Sequence, residues 1–368
     1  MAWHIKKQDI PLLAIGAKIL SCGGGGDTRT VQTLLMSIMD NNDSITVKTI
    51  SDLEEEWIAP VGIMGSTILY GENIPTGQEG IEALKVYESV SGKNAEALIA
   101  LEIGGVNALT PLVTAFMAGL PVVDGDAMGR AFPELTMTTF YHADIPLTPF
   151  VMQTHQENMY IQGNHDIHET VEMAKEFMFR NGGFAHLLCL CADAKTIKTS
   201  MIPGSLKLCY RLGAVITGEQ QNRKKIAQMK NVFENSVYGR PLQIIAGEVS
   251  KVTRWFEDGS LIGKLHVDGR GPYSSRSIEL EFRNEFIAIK EDGYICTTPD
   301  LILVLDEDSL HPYNVSEIQS EHSVIVFAVP APSILRTQAM LEYVGPGPFK
   351  LPDSYHPVSG GIDHEAGN

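Results

Sequence analysis

Three carboxylates lie where two apolar segments of the sequence end. Glu102 closes the segment ALIALE, and Asp124 and Asp126 follow the residues PVV. If both segments are strands of an open α/β sheet, ligands bind in the crevice outside their carboxyl ends. A carboxylate there can take a proton from water, donate one to a leaving group, or hold a divalent metal that acidifies water. We predict Glu102, Asp124 and Asp126 as catalytic residues, with capping of the following turns as the alternative.

A run of four glycines separates two predicted helices. Glycine lets backbone N–H groups approach a bound anion closely, and a helix N-terminus follows the run. The familiar nucleotide motifs do not fit, because the run follows a helix rather than a strand and lacks the Lys-Ser/Thr ending of a phosphate loop. A plain helix connection is the alternative. The predicted substrate-binding residues of this loop are Cys22, Gly23, Gly24, Gly25 and Gly26.

Further binding candidates follow the first carboxylate closely. Gly104 and Gly105 offer backbone N–H donors to a developing negative charge. Asn107 is predicted as the N-cap of the next helix, and its amide would face the same crevice. We therefore predict all three as substrate-binding residues.

The segments MGRAFPE and TMTTFYH carry three more candidates. Arg130 and Glu134 are predicted to contact substrate, with a structural ion pair between them as the alternative. His142 ends a predicted strand beside the same sheet edge. It is therefore the fourth catalytic candidate, as an acid or base, although a lone histidine is more often structural.

The cysteines are few and irregularly spaced. Five cysteines without repeated metal-ligand spacing are typical of a reducing compartment. Cys22 lies near glycines and a helix N-terminus that would lower its pKa, so it is also a minor candidate nucleophile. Cys189 and Cys191 alternate along an apolar strand, and we predict both in the core.

Alternating helices and strands must position these residues. The hydrophobic periodicity predicts helices over 8–20, 28–39, 78–91, 108–118, 167–180, 205–212, 222–234 and 334–343, and strands over 46–50, 61–66, 97–103, 121–124 and 136–142. Strands that alternate with helices are typical of a largely parallel sheet. From residue 184 to 324 mostly short strands follow one another, which favours a barrel-like unit.

The predicted fold class is therefore α/β plus β. An N-terminal three-layer αβα domain with a mostly parallel sheet is predicted over 1–166 and 323–368. The last segment is assigned to it because a strand followed by a helix is the pattern of that domain. A β-rich, barrel-like domain is predicted over 167–322. The two carboxylate-bearing strands should be adjacent, because parallel strands joined by one crossover usually are.

The charge and hydropathy of the sequence restrict the classes of partner that we expect this protein to bind. Lys and Arg number 28 against 45 Asp and Glu, which gives a net charge of −17. That charge opposes nucleic acid and anionic membrane surfaces. With no apolar run of 18 residues and no export signal, we expect a cytoplasmic protein with a small-molecule substrate, no nucleic-acid partner and no membrane contact.

Six segments together resemble a known family: SCGGGGD, LEIGGVNAL, PVVDGDAMGRAFPEL, IPGS at 202–205, NEFIAI and TTPDLI. The chain resembles the S-methyl thiohydantoin desulfurase family along nearly its whole length. The glycine run and DGDAMGRAFPE are the most specific parts. The resemblance implies an N-terminal three-layer αβα domain and a C-terminal β-barrel-like domain, in agreement with the pattern of elements.

For chemistry, the resemblance implies hydrolysis of a five-membered cyclic ureide. Water would attack the ring carbon that bears sulfur, release a thiol and leave a hydantoin. We predict a hydrolase acting on a C–S or C–N bond of such a ring. The alternative is a non-catalytic ligand-sensing or regulatory subunit of a hydantoinase/oxoprolinase-type enzyme. We expect no nucleotide cofactor; a divalent metal, a hydantoinase-type partner and a homo-oligomer are left open.

Overall fold

The structure is a computed structural model that describes residues 3–257, 259–351 and 354–358. The strands are β1 (Trp3–Lys6), β2 (Ser44–Lys48), β3 (Trp57–Gly65), β4 (Ala97–Ala100), β5 (Val122–Asp126), β6 (Phe150–Gln153), β7 (Asn158–Ile161), β8 (Phe184–Leu188), β9 (Ala192–Asp193), β10 (Ile202–Pro203), β11 (Leu242–Glu257), β12 (Ser260–Gly269), β13 (Ser277–Arg283), β14 (Glu285–Lys290), β15 (Tyr294–Thr297), β16 (Leu301–Asp306) and β17 (Ser323–Val329). The helices are α1 (Ile10–Leu20), α2 (Arg29–Ile38), α3 (Thr67–Glu72), α4 (Gln78–Ser91), α5 (Thr110–Ala118), α6 (Ile167–Arg180), α7 (Ala194–Ser200), α8 (Ser205–Thr217), α9 (Asn222–Glu234) and α10 (Gln338–Val344).

The first sheet is mixed. Its strand order is β1-β2-β5-β4-β3-β8-β6-β7, with β9 paired to β3 and β10 to β5. The central strands β2, β5, β4 and β3 are parallel, and the other pairings are antiparallel. The fold class is confirmed, whereas the expectation of a mostly parallel sheet holds only at its centre. The adjacency of β4 and β5 is confirmed, and it follows from the single crossover through α5.

Helices cover both faces of the first sheet. Residues of α1, α4, α5 and α8 share one buried cluster with one face, and residues of α6 and α7 share another cluster with the opposite face. Between them the sheet forms the middle of the predicted three layers. Within the described residues, no helix is long and apolar enough to cross a membrane.

The crossing of α1 and α8 joins this unit to the second sheet. A Cβ at Gly16 would lie 2.0 Å from the carbonyl oxygen of Cys209, and one at Gly213 would lie 1.9 Å from that of Leu12. Only glycine permits the two helices to approach this closely. The same buried cluster includes side chains of β14, β16 and β17, so α1 and α8 lie in a core shared by both sheets.

The second sheet is antiparallel throughout, in the order β15-β14-β13-β12-β11-β17-β16. It curls into a half-barrel, and alternating side chains of its strands form a separate core. This agrees with the predicted barrel-like unit.

Three predicted placements were wrong. β17 lies between β11 and β16 in the second sheet, not in the first. β8 pairs with β3 and β6 in the first sheet, although the sequence placed it in the β-rich part. Residues 136–142 form short 3-10 turns instead of a strand, because the Thr138 hydroxyl bonds the Leu135 carbonyl at 2.8 Å and folds the chain back. An alternating apolar pattern predicts a strand but does not identify its partner strand.

Candidate functional site

Glu102, Asp124 and Asp126 project from neighbouring strands. β4 and β5 are paired in parallel, with Ala100 opposite Asp126. Leu101, just beyond β4, donates its N–H to the Val61 carbonyl of β3 and fixes the backbone before Glu102. All three carboxylates are buried, with exposures of 7%, 7% and 0% respectively. The structure thus gathers at this sheet edge the carboxylates that the sequence predicted there.

Two of these carboxylates, Asp124 and Asp126, accept hydrogen bonds from backbone N–H groups. Asp124 Oδ1 accepts a hydrogen bond from the Lys207 N–H in the first turn of α8, at 2.9 Å. Asp126 Oδ2 accepts from the N–H groups of Ile103, Met128 and Gly129, at 3.1, 2.9 and 2.6 Å. These contacts match the capping alternative. They tie α8 and the two loops after β4 and β5 to the sheet edge.

The charge of a carboxyl group that sequence reasoning missed, Glu285, acts on Glu102, and we call these two groups the carboxyl pair. Glu285 begins β14 of the second sheet and is only 5% exposed. Glu102 Oε1 and Glu285 Oε2 are both buried and have no hydrogen-bond partner in the described part of the chain. A buried carboxyl oxygen without a partner is costly, which points to a ligand or a shared proton. One signal was present in the sequence: a glutamate inside the apolar segment NEFIAI, which carries the family resemblance.

The glycine loop contacts the Glu285 member of this carboxyl pair. A Cβ at Gly24 would lie 2.2 Å from Glu285 Oε1, so the loop backbone touches the carboxyl group. Cys22 accepts a hydrogen bond from the Phe286 N–H at 2.8 Å, and Gly25 accepts one from the Val106 N–H at 2.8 Å. The loop therefore bridges the second sheet and the Gly104-Gly105 turn.

The loop and the neighbouring turn also present free donors. The backbone N–H groups of Gly25, Gly26, Gly104 and Gly105 donate no hydrogen bond to any residue that the structure describes. Backbone N–H donors without a protein partner are the groups that stabilise developing negative charge in acyl-transfer sites. The geometry is therefore compatible with the predicted donor role of these glycines.

Arg130 places a fully buried cation beside the pair. Its guanidinium donates to the carbonyls of Phe286 and Asp300, both at 2.8 Å, and to that of Ala131 at 3.3 Å. It forms no ion pair with Glu134, which is exposed and lies near the Thr136 hydroxyl. The alternative of an Arg130–Glu134 ion pair was therefore wrong, because the guanidinium points inward to the second sheet.

Burial and charge set the protonation of the cluster. Burial raises the pKa of Glu285 to about 8, and the Arg130 charge opposes that rise. Burial also raises the pKa of Glu102 well above its usual value, and the charges of Glu285 and Asp126 raise it further. The pKa of Asp126 is raised to about 6 by burial, against its N–H bonds. Buried carboxyl groups with pKa values raised by burial and by neighbouring charges are typical of acid/base sites.

Two further predicted site residues, Asn107 and His142, lie in different surroundings. Asn107 lies at the pair: it lowers the pKa of Glu102 by hydrogen bonding, and its Oδ1 accepts the Ile63 N–H at 2.6 Å. It is thus a bridge to β3 and not the predicted N-cap. His142 packs on Tyr343, with ring centres 4.2 Å apart, and bonds the Thr136 carbonyl at 2.8 Å. No described contact joins His142 to the carboxylates.

The cysteines are buried. The predicted core positions of Cys189 and Cys191 are confirmed. The thiol of Cys22 is also buried, and burial raises its pKa above the usual value despite the Arg130 charge. The expected lowering of this pKa was wrong, because the effect of burial exceeds the opposing effects, and α2 begins only at Arg29.

Metal binding has little support from the ligand set. Among the described residues, no three His, Cys, Asp or Glu side chains form a group that could hold a metal ion. Glu102, Asp124 and Asp126 are therefore not arranged as such a set.

Replacing Gly24 with alanine is expected to lower turnover of a confirmed substrate by about 10²-fold, the usual effect of misplacing a reacting group by about 1 Å. Gly24 does not have a left-handed backbone, so the added Cβ acts only by displacing the Glu285 carboxyl group. The free energy of unfolding should change by only about 1–3 kcal/mol.

Gly293→Ala is the matched control, because its Cβ would meet nothing within 4 Å. It should leave turnover and urea unfolding unchanged. Full activity of the Gly24→Ala protein would show that the loop is only a connector. Gly25 is a poorer probe, since its φ of +65° and its contact with Gly104 would strain the fold.

Comparison with known proteins places the chain in a family. The family model described as S-Me-THD-like, N-terminal domain, matches residues 8–164, and the S-Me-THD-like, C-terminal domain, matches residues 165–358. This chain belongs to the S-Me-THD-like family. Glu102 lies in the first S-Me-THD-like domain and Glu285 in the second, so the carboxyl pair joins the two.

Comparison with solved structures shows the same fold. One of these structures is the X-ray structure of a protein from Chromobacterium violaceum, which is 19% identical to this chain. The match covers 97% of this chain and 100% of the other, with a TM-score of 0.79. Among curated proteins, none matches this S-Me-THD-like chain.

Proposed function

We propose that this chain is a hydrolase of a small cyclic ureide or thiohydantoin-like molecule, with Glu285 as general base and Glu102 as general acid. One observation carries the proposal. Glu102 and Glu285, one from each family domain, are buried carboxyl groups that each have an oxygen without a partner; the charge of Glu285 acts on Glu102, and the glycine loop contacts Glu285. The family description, S-Me-THD-like, supports the substrate class.

The two roles follow from the charges around each group. The Arg130 cation favours the ionised form of Glu285, whose pKa is about 8. Once Glu285 is ionised, its charge raises the pKa of Glu102 further, so Glu102 keeps its proton. Above about pH 8 the pair thus holds one proton, which is the state that base and acid catalysis together require.

The proposed reaction replaces a ring C–S bond with a carbonyl. Ionised Glu285 takes a proton from water, and the oxygen of that water forms a bond to the ring carbon that bears the methylthio group. Glu102 donates its proton to the sulfur as the C–S bond breaks, which releases methanethiol. The proton of the new hydroxyl group is then lost to Glu102, and Glu285 returns its proton to the ring nitrogen, which leaves a hydantoin and restores both carboxyl groups. The N–H groups of Gly104 and Gly105 would stabilise the negative charge that develops at the ring.

Release of methanethiol from an S-methyl thiohydantoin is the expected result when the purified protein is incubated with that compound. A thiol reagent detects the product, and mass spectrometry in ¹⁸O-labelled water should show one labelled oxygen in the hydantoin. The rate should rise with pH through about 8, as Glu285 ionises.

Two other outcomes overturn the proposal in different ways. A rise in melting temperature with hydantoins but no product would favour the ligand-sensing alternative. Ring opening to a ureido acid without thiol release would retain a hydrolase but assign it to the C–N bond.

A further inference from the structure

A row of side chains crosses three neighbouring strands of the first sheet. Gln153 of β6 lies directly opposite His186 of β8, and His186 lies directly opposite Ile63 of β3. Directly opposed residues of paired strands project from the same face of a sheet. Beyond Ile63, the Asn107 amide accepts the Ile63 N–H at 2.6 Å and donates to the Ile63 carbonyl at 3.4 Å. Asn107 also bonds Glu102, so it connects this row to the proposed general acid.

His186 and Gln153 carry buried polar atoms without a partner. Each of the two residues is only 4% exposed. Both ring nitrogens of His186 and Oε1 of Gln153 lack a hydrogen-bond partner within the part of the chain that the structure describes. The Gln153 Nε2 group, in contrast, donates to the Thr154 carbonyl at 2.7 Å. Burial of polar atoms without a partner is costly, so these two side chains point to a ligand.

Helix α3 connects the row to the glycine loop. The buried ring of Tyr70 packs edge-on against His186, with ring centres 6.2 Å apart. At the start of the helix, a Cβ at Gly26 would lie 2.5 Å from Thr67 Cβ. The row and the glycine loop therefore share α3 as a cover. A helix of six residues with Ile68 60% exposed buries little apolar surface and opens at low cost, so α3 can move aside for a ligand.

The charges around His186 favour a neutral ligand. Burial lowers the pKa of His186 to about 4, and the charge of Glu79 opposes this effect while that of His155 adds to it. Burial raises the pKa of Glu79, but hydrogen bonds from Thr76 outweigh burial and hold that pKa below its usual value. The Glu79 carboxylate also accepts the Gly77 N–H at 2.9 Å and lies 2.6 Å from the His155 ring. At neutral pH an uncharged His186 ring thus lies near a carboxylate, which disfavours a second anion.

A carboxamide matches the polar atoms that lack a partner. A neutral histidine ring has one N–H donor and one acceptor nitrogen, and Gln153 Oε1 is an acceptor. A carboxamide can accept the His186 N–H and donate to Gln153 Oε1, whereas a carboxylate only accepts and leaves Gln153 unpaired. Ile63 adds an apolar surface between His186 and Asn107. Because neighbouring strands are about 4.8 Å apart, a chain of roughly two methylene groups crosses it.

We propose that His186 and Gln153 form a specificity subsite, which binds a terminal carboxamide on the substituent of the cyclic substrate. The substrate ring lies at Glu102, its apolar chain crosses Ile63, and its amide bonds His186 and Gln153. This inference rests on the proposed function, since it takes the reacting ring to lie at Glu102. It names the substrate as a thiohydantoin-type ring whose side chain resembles that of glutamine.

Calorimetric titration with four hydantoins tests the subsite without turnover. Their substituents consist of two methylene groups that end in a carboxamide, an isopropyl group of the same shape, a carboxylate or an ammonium group. The carboxamide should bind about 10- to 100-fold more tightly than the isopropyl compound, because that compound leaves buried polar atoms unpaired. In NMR spectra the carboxamide should also shift the ring signals of His186.

A Gln153→Met protein tests the acceptor oxygen directly, because methionine keeps the length of the side chain and removes the amide. The variant should bind the carboxamide about tenfold more weakly and the isopropyl compound as tightly as before. Gln228→Met is the matched control, since it makes the same change at an exposed position of α9. It should alter neither affinity.

Equal affinity for the carboxamide and the isopropyl compound would overturn the subsite, as would tighter binding of the carboxylate or the ammonium compound. An unchanged affinity of the Gln153→Met protein for the carboxamide would overturn it too. Preference for the carboxamide without thiol release from the matching S-methyl thiohydantoin would keep the subsite and overturn the proposed reaction. Thiol release with no preference among the four substituents would do the reverse.

Discussion

A Glu285→Gln protein is expected to lose turnover by about 10²–10⁴-fold, the usual contribution of a general base. Glutamine has nearly the same shape but cannot accept a proton, so the buried site keeps its packing and loses its chemistry. The measurement is kcat/KM for thiol release from the S-methyl thiohydantoin. Glu82→Gln is the matched control, because Glu82 is exposed on α4 and should tolerate the change.

The Glu285→Gln variant should also change how the stability of the protein depends on pH, which can be measured without a substrate. The pKa of Glu285 is raised by folding to about 8, so its contribution to stability is full below the unfolded value of about 4.5 and is lost as pH rises to about 8. As the pH rises from about 4.5 to about 8, the free energy of unfolding of the wild type should therefore fall by about 1.4 kcal/mol per pH unit relative to that of the Glu285→Gln protein. Parallel pH profiles for the two proteins would contradict the raised pKa.

A double variant that combines Glu285→Gln with Glu102→Gln tests whether the two carboxyl groups act together in turnover. If they do, the double variant should be little worse than either single variant, because removal of one partner already disables the other. Multiplicative losses would show that the two groups act independently.

Arg130→Met is expected to lower the free energy of unfolding by about 3–5 kcal/mol, the usual effect of breaking a buried charged contact. The guanidinium supplies hydrogen bonds to carbonyls of β14 and of the segment before β16, and methionine supplies none. Urea unfolding followed by circular dichroism measures the effect. Loss of this cation should also raise the pKa of Glu285 further and move the activity profile to higher pH.

The control for this change is Arg240→Met, which removes an exposed guanidinium on the surface. It should shift the unfolding midpoint little, because exposed charges contribute little to stability. If the Arg130→Met protein is as stable as the wild type, the carbonyl groups of Phe286 and Asp300 do not need the hydrogen bonds that Arg130 donates. The position would then be one where apolar packing replaces a buried charge without loss, as occurs in some proteins.

The position of the carboxyl pair suggests how the two domains depend on each other. Glu102 belongs to the edge of the first sheet and Glu285 to the start of β14 in the second. Neither domain alone brings both groups together. The glycine loop and Arg130 contact both sides, so changes in either interface are expected to affect the proposed chemistry.

The sequence by itself determined several of the helices and the order of two neighbouring strands. Helix α4, helix α6 and helix α9 begin and end where the periodicity and caps predict. The adjacency of β4 and β5 followed from one right-handed crossover, which is a local rule of chain geometry. The position of Glu102 at the carboxyl end of its strand followed from the sequence as well, since it needs only the point where the apolar segment ends.

Only the tertiary structure decided the contacts between the two sheets. Arg130 reaches the Phe286 carbonyl across 156 residues of sequence, and its partner could not be read from the nearby Glu134. Glu285 joins Glu102, and β17 joins the second sheet, for the same reason. An apolar or polar residue pattern specifies which face a side chain takes, but its neighbour across a core depends on how whole sheets pack.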